Sequence, residues 1–443
     1  GSERRTGPWT APRAAGFVVP HAGLVYSGTV SCAVWRQIRA LAPERVILLG
    51  FSHRGASAGA WIPDIAAFET PLGATAIDRE SAAALVASGA FGWCEERQVC
   101  DHSVEIQLPL LENAAPEARI VPVYVSRLSA GKRLAAARAL AALAGPRTVL
   151  VASSDFTHYG RGFSFEPFPP DEAAPDRLRA LDESVIDAVG TLEPSEFLRV
   201  LDKTRSTVCG REPIAMLLET LRLLSDNEEI FGETLDYQTS GEITGDFQQS
   251  VSYAALGFFP YRALEVTEED GRALVESARQ TLAHYLATGQ RRPVPPPKAG
   301  AALERHAAAF VTLHSGGELR GCVGCRMSKE PLASLVPHMA LAAALDDSRF
   351  DPVRPGDPEP GVEISVLSPL KRILTLDRFR VNEHGALLEA GPDQGLLLPQ
   401  VATERNWSAG QFLEALVRKA GAPPDAYREP TTRVYVFRAQ IIH

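Results

Sequence analysis

Thr148-Val149-Leu150-Val151-Ala152-Ser153-Ser154-Asp155-Phe156-Thr157-His158 starts as an apolar, partly β-branched run and breaks abruptly into Ser, Asp, Thr and His. A run this short, bounded by polar residues, reads as a strand buried on both faces with reactive side chains at its carboxyl end. The same pattern occurs in Val18-Val19-Pro20-His21-Ala22-Gly23 and in Ile47-Leu48-Leu49-Gly50-Phe51-Ser52-His53. Strands are expected over 16–19, 45–49, 118–125 and 148–152, with a closing strand over 247–259. Helical periodicity falls between them, over 28–41, 79–87, 130–143, 176–189 and 213–224. Strand and helix in alternation predict an α/β fold with a mainly parallel sheet. In such a sheet the carboxyl ends of the strands share one edge, so His21, His53, Asp155 and His158 are expected to meet there although far apart in sequence.

At 443 residues the chain is long enough for two or three domains of about 150 residues each. Its 45% hydrophobic and 22% charged residues are those of an ordinary globular protein and exclude bulk disorder and collagen-like or coiled-coil rods. No run reaches the ~18 apolar residues of a membrane span. The opening Gly1-Ser2-Glu3-Arg4-Arg5 has no signal-peptide core and reads as a tag-cleavage remnant, so a cytoplasmic protein with no membrane partner is expected. Six irregularly spaced cysteines argue for thiols or metal ligands rather than a disulfide framework.

Charges balance from Arg262 onward, so the net charge of −9 belongs to the part before it. That leaves no electrostatic footprint for strong non-specific DNA binding. The chain changes character at Pro260-Tyr261-Arg262, which places domains at 1–261 and 262–443. Thr267-Glu268-Glu269-Asp270 reads as a capped helix start, followed by a Pro-rich extended stretch over 292–297. Strands expected over 308–313, 362–367 and 433–440, with helices over 331–344 and 409–420, give the second domain a mixed α+β layout.

Neutral imidazoles clustered with a carboxylate suit a divalent metal. Cys209, in Ser206-Thr207-Val208-Cys209-Gly210-Arg211-Glu212-Pro213-Ile214, enters a helix whose first turn suits Pro213, and a thiol at a helix N-terminus is acidified for metal binding. The competing reading of Cys209 is a small buried core residue. In Cys100-Asp101-His102-Ser103-Val104-Glu105, His102 and Glu105 share a helix face, either around the metal and its substrate or in a structural role. Ser52 and Ser154 lie near histidines but lack a nucleophile-elbow context, which disfavours a hydrolase. In the second domain, 317–325 reads as a tight loop in which glycines allow a close backbone approach. Cys322-x-x-Cys325 has no second pair with which to build a zinc site and no thioredoxin-like surroundings.

The motifs Pro20-His21-Ala22-Gly23, Ser52-His53, Asp101-His102-Ser103-Val104-Glu105, Ser153-Ser154-Asp155-Phe156-Thr157-His158 and Cys209-Gly210-Arg211-Glu212-Pro213-Ile214 together resemble the Memo family, over about residues 14 to 260. Memo proteins are similar in fold to class III extradiol dioxygenases, which are non-haem iron enzymes. The resemblance implies His21, His53 and Cys209 as metal ligands, with Asp155 and His158 lining the same pocket; His158 is expected to act there as acid/base oriented by Asp155, with His102, Glu105 and Arg211 around the metal or its substrate. Where the dioxygenase relatives have a carboxylate, this chain has Cys209, a departure that puts ring cleavage in doubt because a thiolate suits Fe, Cu(I) or Zn and alters the redox chemistry.

Leu319-Arg320-Gly321-Cys322-Val323-Gly324, Asp347-Ser348-Arg349-Phe350, Glu363-Ile364-Ser365-Val366-Leu367-Ser368-Pro369 and Gly395-Leu396-Leu397-Leu398-Pro399-Gln400-Val401 resemble the AMMECR family, over about 264 to 443. This resemblance implies an α+β fold and marks Arg320, Gly321 and Cys322 as a suspected functional segment. Memo-like and AMMECR-like parts in one chain resemble the bacterial AmmeMemoRadiSam system, which implies a radical-SAM enzyme as partner. The expectation is a metal-dependent redox enzyme holding Fe(II), with Cu or Zn as alternatives, acting on a nucleoside or RNA or on an aromatic metabolite. The competing expectations are a non-catalytic metal scaffold or metallochaperone, and a pseudoenzyme binding a peptide or nucleotide.

Overall fold

The structure is a computed structural model. It describes residues 15–443 apart from 56, 226–227, 297–299, 327, 329 and 430; the expected remnant at residues 1–5 and Pro297 of the Pro-rich stretch lie outside the described residues. Two compact units divide between Ala263 and Leu264.

The first unit is built on a nine-stranded sheet. Four parallel strands form its centre, in the order Gly16–Val19, Thr148–Ser153, Arg45–Gly50 and Arg119–Val125. Their apolar side chains are almost wholly buried, as expected for a parallel sheet covered on both faces. Antiparallel pairing takes over outside this centre. Gln249–Pro260 and then Ile230–Thr239 extend one side, while Ala60–Pro63 runs antiparallel to Arg119–Val125 on the other.

The register fixes where the polar clusters emerge. Val19 pairs with Ser153, and Leu49 with Ala152, so the residues that follow leave the sheet at one edge. Helix Arg211–Leu224 packs behind the sheet with every side chain from Pro213 to Leu221 buried. That burial anchors the loop carrying Cys209 just before it.

The expected helix over 28–41 starts earlier, at Leu24. Its first turn exposes Leu24, Val25 and Tyr26 to solvent, which hides it from a rule that looks for an apolar face turned to the core.

The second unit is α+β with antiparallel pairing in two four-stranded sheets. Strands Ala309–Ser315, Glu318–Cys325, Gly361–Leu367 and Ala439–Ile442 form the first. Against one face lie helices Glu268–Thr288, capped by Thr267, and Leu332–Leu345. Strands Lys371–Ile373, Gly385–Ala390, Asp393–Leu397 and Arg433–Phe437 form the second sheet, packed on helix Ala409–Ala420.

Two expectations are corrected here. The single strand expected over 433–440 is divided between the two sheets at Arg438, whose backbone is pinned by reciprocal hydrogen bonds with Ser368. The loop expected over 317–325 is instead a turn at Gly316-Gly317, both with positive φ, followed by a strand from Glu318. Gly321 and Gly324 weaken the strand signal, yet the packing requires them. A Cβ on Gly321 would collide with the Ala343 carbonyl oxygen, and one on Gly324 with the Phe310 ring.

Candidate metal centre

His21 leaves the first strand through Pro20 and is only 2% exposed. Its backbone N–H donates to Asp155 Oδ1 at 2.7 Å, and the Ala22 N–H donates to the same oxygen at 3.1 Å. Its Nδ1 lies 3.2 Å from Ser153 Oγ, and its Nε2 lies 3.1 Å from Cys209 Sγ. Ser153 also accepts from Gln107 Nε2 at 3.2 Å. The Gln107 amide, itself buried, donates to the Pro20 carbonyl and accepts from Trp35 Nε1. Both polar side-chain atoms of Gln107 are thereby satisfied, and its Nε2 holds the base of the His21 loop. Burial brings the His21 imidazole down to a pKa of about 4, so the ring is neutral at physiological pH and keeps a lone pair for a metal.

Cys209 approaches from the opposite loop. Its Sγ accepts from the Asp155 N–H at 3.2 Å, and the Gly210 N–H donates to Ser154 Oγ at 2.9 Å. Gly210 lies so close to Ser154 that a Cβ there would collide with that side chain, which makes glycine a condition for seating the thiol. Burial, reinforced by the Asp155 charge, pushes the Cys209 thiol well above its ordinary pKa.

On the open side His53 is held by Asp101. The carboxylate accepts from the His53 N–H at 2.7 Å and from its Nδ1 at 2.8 Å. A carboxylate only accepts, so Nδ1 carries the proton and Nε2 is left as a donor for metal. Burial would raise the Asp101 carboxyl, but hydrogen bonds from the His53 ring and the Ser103 N–H outweigh it and hold the group below the usual carboxylate range. His102 stacks on His53 with ring centroids 4.2 Å apart, and the His21 ring stands across both at 5.4 and 5.5 Å.

Two donor groups result, each with its ligand atoms within 4.8 Å of one another: His21, His53 and His102, and His21, Asp155 and Cys209. The expected trio of His21, His53 and Cys209 is divided between them, with His21 common to both. Imidazoles, a carboxylate and a thiol are a donor set that fits Fe, Cu or Zn.

The model of Memo-like proteins matches residues 3–257. The chain belongs to the Memo family. The AMMECR1 model matches residues 275–442, so a Memo domain and an AMMECR1 domain share one chain. Protein memo-1 homolog of Caenorhabditis elegans is 33% identical over 55% of this chain and 71% of its own length. A MEMO1 family protein of Methanopyrus kandleri is 32% identical over 58% of this chain and 86% of its own. A protein of Methanothermobacter thermautotrophicus is 38% identical over 40% of this chain and 96% of its own. The solved structure of the uncharacterised protein PH0010 from Pyrococcus horikoshii is 35% identical over 40% of this chain and 92% of its own, with a TM-score of 0.38. No helix among the described residues is long and apolar enough to cross a membrane.

Elsewhere in the Memo domain, the expected pairing of Asp155 with His158 is not how that ring is held. Asp155 Oδ1 is committed to the His21 loop, and His158 is bound by Thr207 instead. Its N–H donates to Thr207 Oγ1 at 2.7 Å, and its Nδ1 lies 3.0 Å from the Thr207 carbonyl. A carbonyl only accepts, so Nδ1 is protonated and Nε2 is the basic atom. Glu105 belongs to neither donor group, and partial desolvation with the Asp101 charge raises its carboxyl. Arg211 pairs with Asp202 at 2.7 Å, a surface contact rather than a second layer around the thiol.

Sequence reading assigned no role to Asp101, Ser153, Gln107 or Thr207. Asp101 accepts from the Ser103 N–H as the cap of a short helix, and that capping signal masks its second contact, with His53. Gln107 and Thr207 carry no local signal, because their partners lie far away in sequence.

Proposed function

We propose that the Memo domain is a metal-dependent redox centre of a cytoplasmic protein, with Fe(II) as its metal. The observation that carries this reading is the 3.1 Å approach of the neutral His21 Nε2 to Cys209 Sγ, beside His53, whose Nε2 is freed by Asp101. His21 and Cys209 would hold the ion, with Asp155, His53 and His102 as the further donors on either side. Bound there, iron would supply a redox-active Lewis acid for oxidising a small molecule.

The chain's own groups divide the remaining work. Ser153 and Asp101 orient the two imidazoles, Thr207 keeps His158 Nε2 free to take up a proton, and Gln107 stiffens the His21 loop. Half-exposed His53 and exposed His102 leave one side of the group open to an incoming molecule. Fusion to an AMMECR1 domain supports a shared reaction. For it we name a radical-SAM enzyme as partner and a modified nucleoside or RNA, or an aromatic metabolite, as substrate.

Anaerobic metal analysis of the whole chain beside Cys209→Ser and His53→Ala tests the reading, with nitric oxide as the probe of an open iron position. Near-stoichiometric iron that binds the probe and falls in both variants is the expected result. Copper or zinc that does not respond to the probe would instead favour a non-catalytic scaffold or metallochaperone. Metal-free protein that keeps its fold would favour a peptide- or nucleotide-binding pseudoenzyme.

A further inference from the structure

An aspartate does stand behind His158, but it comes from another element of the Memo domain. Asp182 lies on helix Ala174–Gly190 and is wholly buried. Its Oδ1 accepts from Thr157 Oγ1 at 2.6 Å and from the Thr157 N–H at 3.3 Å, and its Oδ2 accepts from the Tyr237 hydroxyl at 2.7 Å. Ser252 adds a further side-chain hydrogen bond. Thr157 uses its single hydroxyl proton on Asp182, so in the 2.8 Å contact between the Thr157 and Ser206 hydroxyls Ser206 is the donor. The result is a directed chain from Ser206 through Thr157 to Asp182, met from the other side by Tyr237.

This chain flanks the clamp on His158. Thr157 directly precedes His158, and Ser206 directly precedes Thr207. Thr207 grips the histidine at three points: its Oγ1 accepts from the His158 N–H and donates to the His158 carbonyl at 2.8 Å, while its own carbonyl takes Nδ1. Ser252, on strand Gln249–Pro260, closes the third side. Its N–H donates to the Thr157 carbonyl at 2.9 Å, its carbonyl accepts from the Phe156 N–H at 2.8 Å, and its neighbour Val251 pairs with His158. Both segments that hold the imidazole are thus tied to one carboxylate.

The donors to Asp182 are hydroxyls and one backbone N–H, with no cation among them. Burying a carboxylate without an opposite charge costs free energy, and burial raises this carboxyl. Simple packing would be served better by an apolar residue. Ionised, however, Asp182 accepts several hydrogen bonds and donates none, which fixes the direction of the hydroxyls that meet it.

We infer that Asp182 is a positioning residue for His158, acting through Thr157 and Ser206 to keep Nδ1 on the Thr207 carbonyl and Nε2 as the basic atom. It touches neither the donor groups nor an incoming molecule. The inference rests on the reading of His158 as the group that takes up a proton. Loosening either end of the chain lets the ring leave the Thr207 carbonyl, and the proton then exchanges between the two nitrogens.

The test is the tautomer of His158 in the metal-free full chain, labelled with 15N-histidine and read by long-range 1H–15N NMR at alkaline pH, where histidines are neutral. A His158→Gln sample identifies the resonances. The parent chain is expected to show the widely separated ring shifts of one fixed tautomer, protonated at Nδ1. Asp182→Asn and the isosteric Thr157→Val should move both shifts toward the averaged values of free histidine, whereas Thr157→Ser, which keeps the hydroxyl, should retain the parent values. If Asp182→Asn loses its circular dichroism, Tyr237→Phe takes its place.

Parent-like His158 shifts in Asp182→Asn and Thr157→Val, even with a lower melting temperature, would overturn the inference, because the carboxylate would then serve stability alone. The same holds if Thr157→Ser averages the shifts as Thr157→Val does. Iron content separates this result from the reading on which it rests. Iron bound as expected with a ring indifferent to Asp182 removes this inference only; a ring governed by Asp182 in a chain that binds no iron removes the redox reading and leaves the positioning role.

Discussion

Cys209 and Cys322 are the same side chain placed in opposite surroundings. Around Cys209 the structure gathers neutral or acceptor groups, namely the His21 ring, the Asp155 carboxylate and the Ser154 hydroxyl. Burial and the Asp155 charge push the thiol up and outweigh the hydrogen bonds from the Asp155 N–H and Ser154 that favour the thiolate. Such a sulfur gains its negative charge only when a cation replaces its proton, as at a metal site. Around Cys322 the backbone is held instead by an ion pair already formed, its N–H donating to Asp347 and its carbonyl accepting from Arg349. The same thiol thus sits in a metal-type donor group at Cys209 and in a strand backed by a satisfied ion pair at Cys322.

The widest test of this contrast is Cys209→Ser. It should lower metal affinity by about a hundredfold or more while leaving alkylation of Cys322 unchanged; metal content equal to that of the parent protein would break the assignment. Gly321→Ala probes the other side. Forcing a Cβ against the Ala343 carbonyl should cost about 3 kcal/mol in the denaturant transition of the second unit, with metal content untouched. A transition that does not move would mean that the strand can shift without penalty.

Asp101→Asn should weaken metal binding by about 10- to 100-fold, because the amide no longer fixes the protonated Nδ1 of His53. An unaltered affinity would remove His53 from the ligand set. Gln107→Leu should cost about 1–3 kcal/mol of stability and broaden the His21 ring resonances in NMR spectra; sharp, unshifted resonances would show that Ser153 alone holds the ring.

The smallest expected effect is on acid stability. Arg349 holds the Asp347 carboxyl below its ordinary range. A depressed carboxyl adds stability that is complete above the unfolded pKa of about 4 and is lost as pH falls toward the folded value. The second unit should therefore weaken below about pH 4, and Asp347→Asn should flatten that part of the curve. An identical pH dependence in the variant would show that other carboxyls govern it.

The comparison also shows which parts of the molecule are legible from sequence. The parallel centre was readable because each strand is short, apolar and followed by polar residues, and the convergence of His21, His53 and Asp155 follows from strand order alone. Strand Glu318–Cys325 reads as a loop from sequence, since Gly321 and Gly324 are there for packing against Ala343 and Phe310 and not for turning. The partner of His158 is hidden from sequence for a related reason. Asp155 is its neighbour in sequence, but Thr207, 49 residues away, is the residue its ring meets.

By itself the sequence determined two domains, an α/β and an α+β fold, and a set of histidines, carboxylates and thiols placed at strand ends. These follow from periodicity and composition, which act locally along the chain. Only the tertiary structure decided that His21 is shared between two donor groups, that Asp101 and Ser153 aim the imidazoles, and that Cys322 lies against the Asp347–Arg349 pair. Those outcomes depend on distances between segments and on which charges lose their water, and no local pattern encodes either.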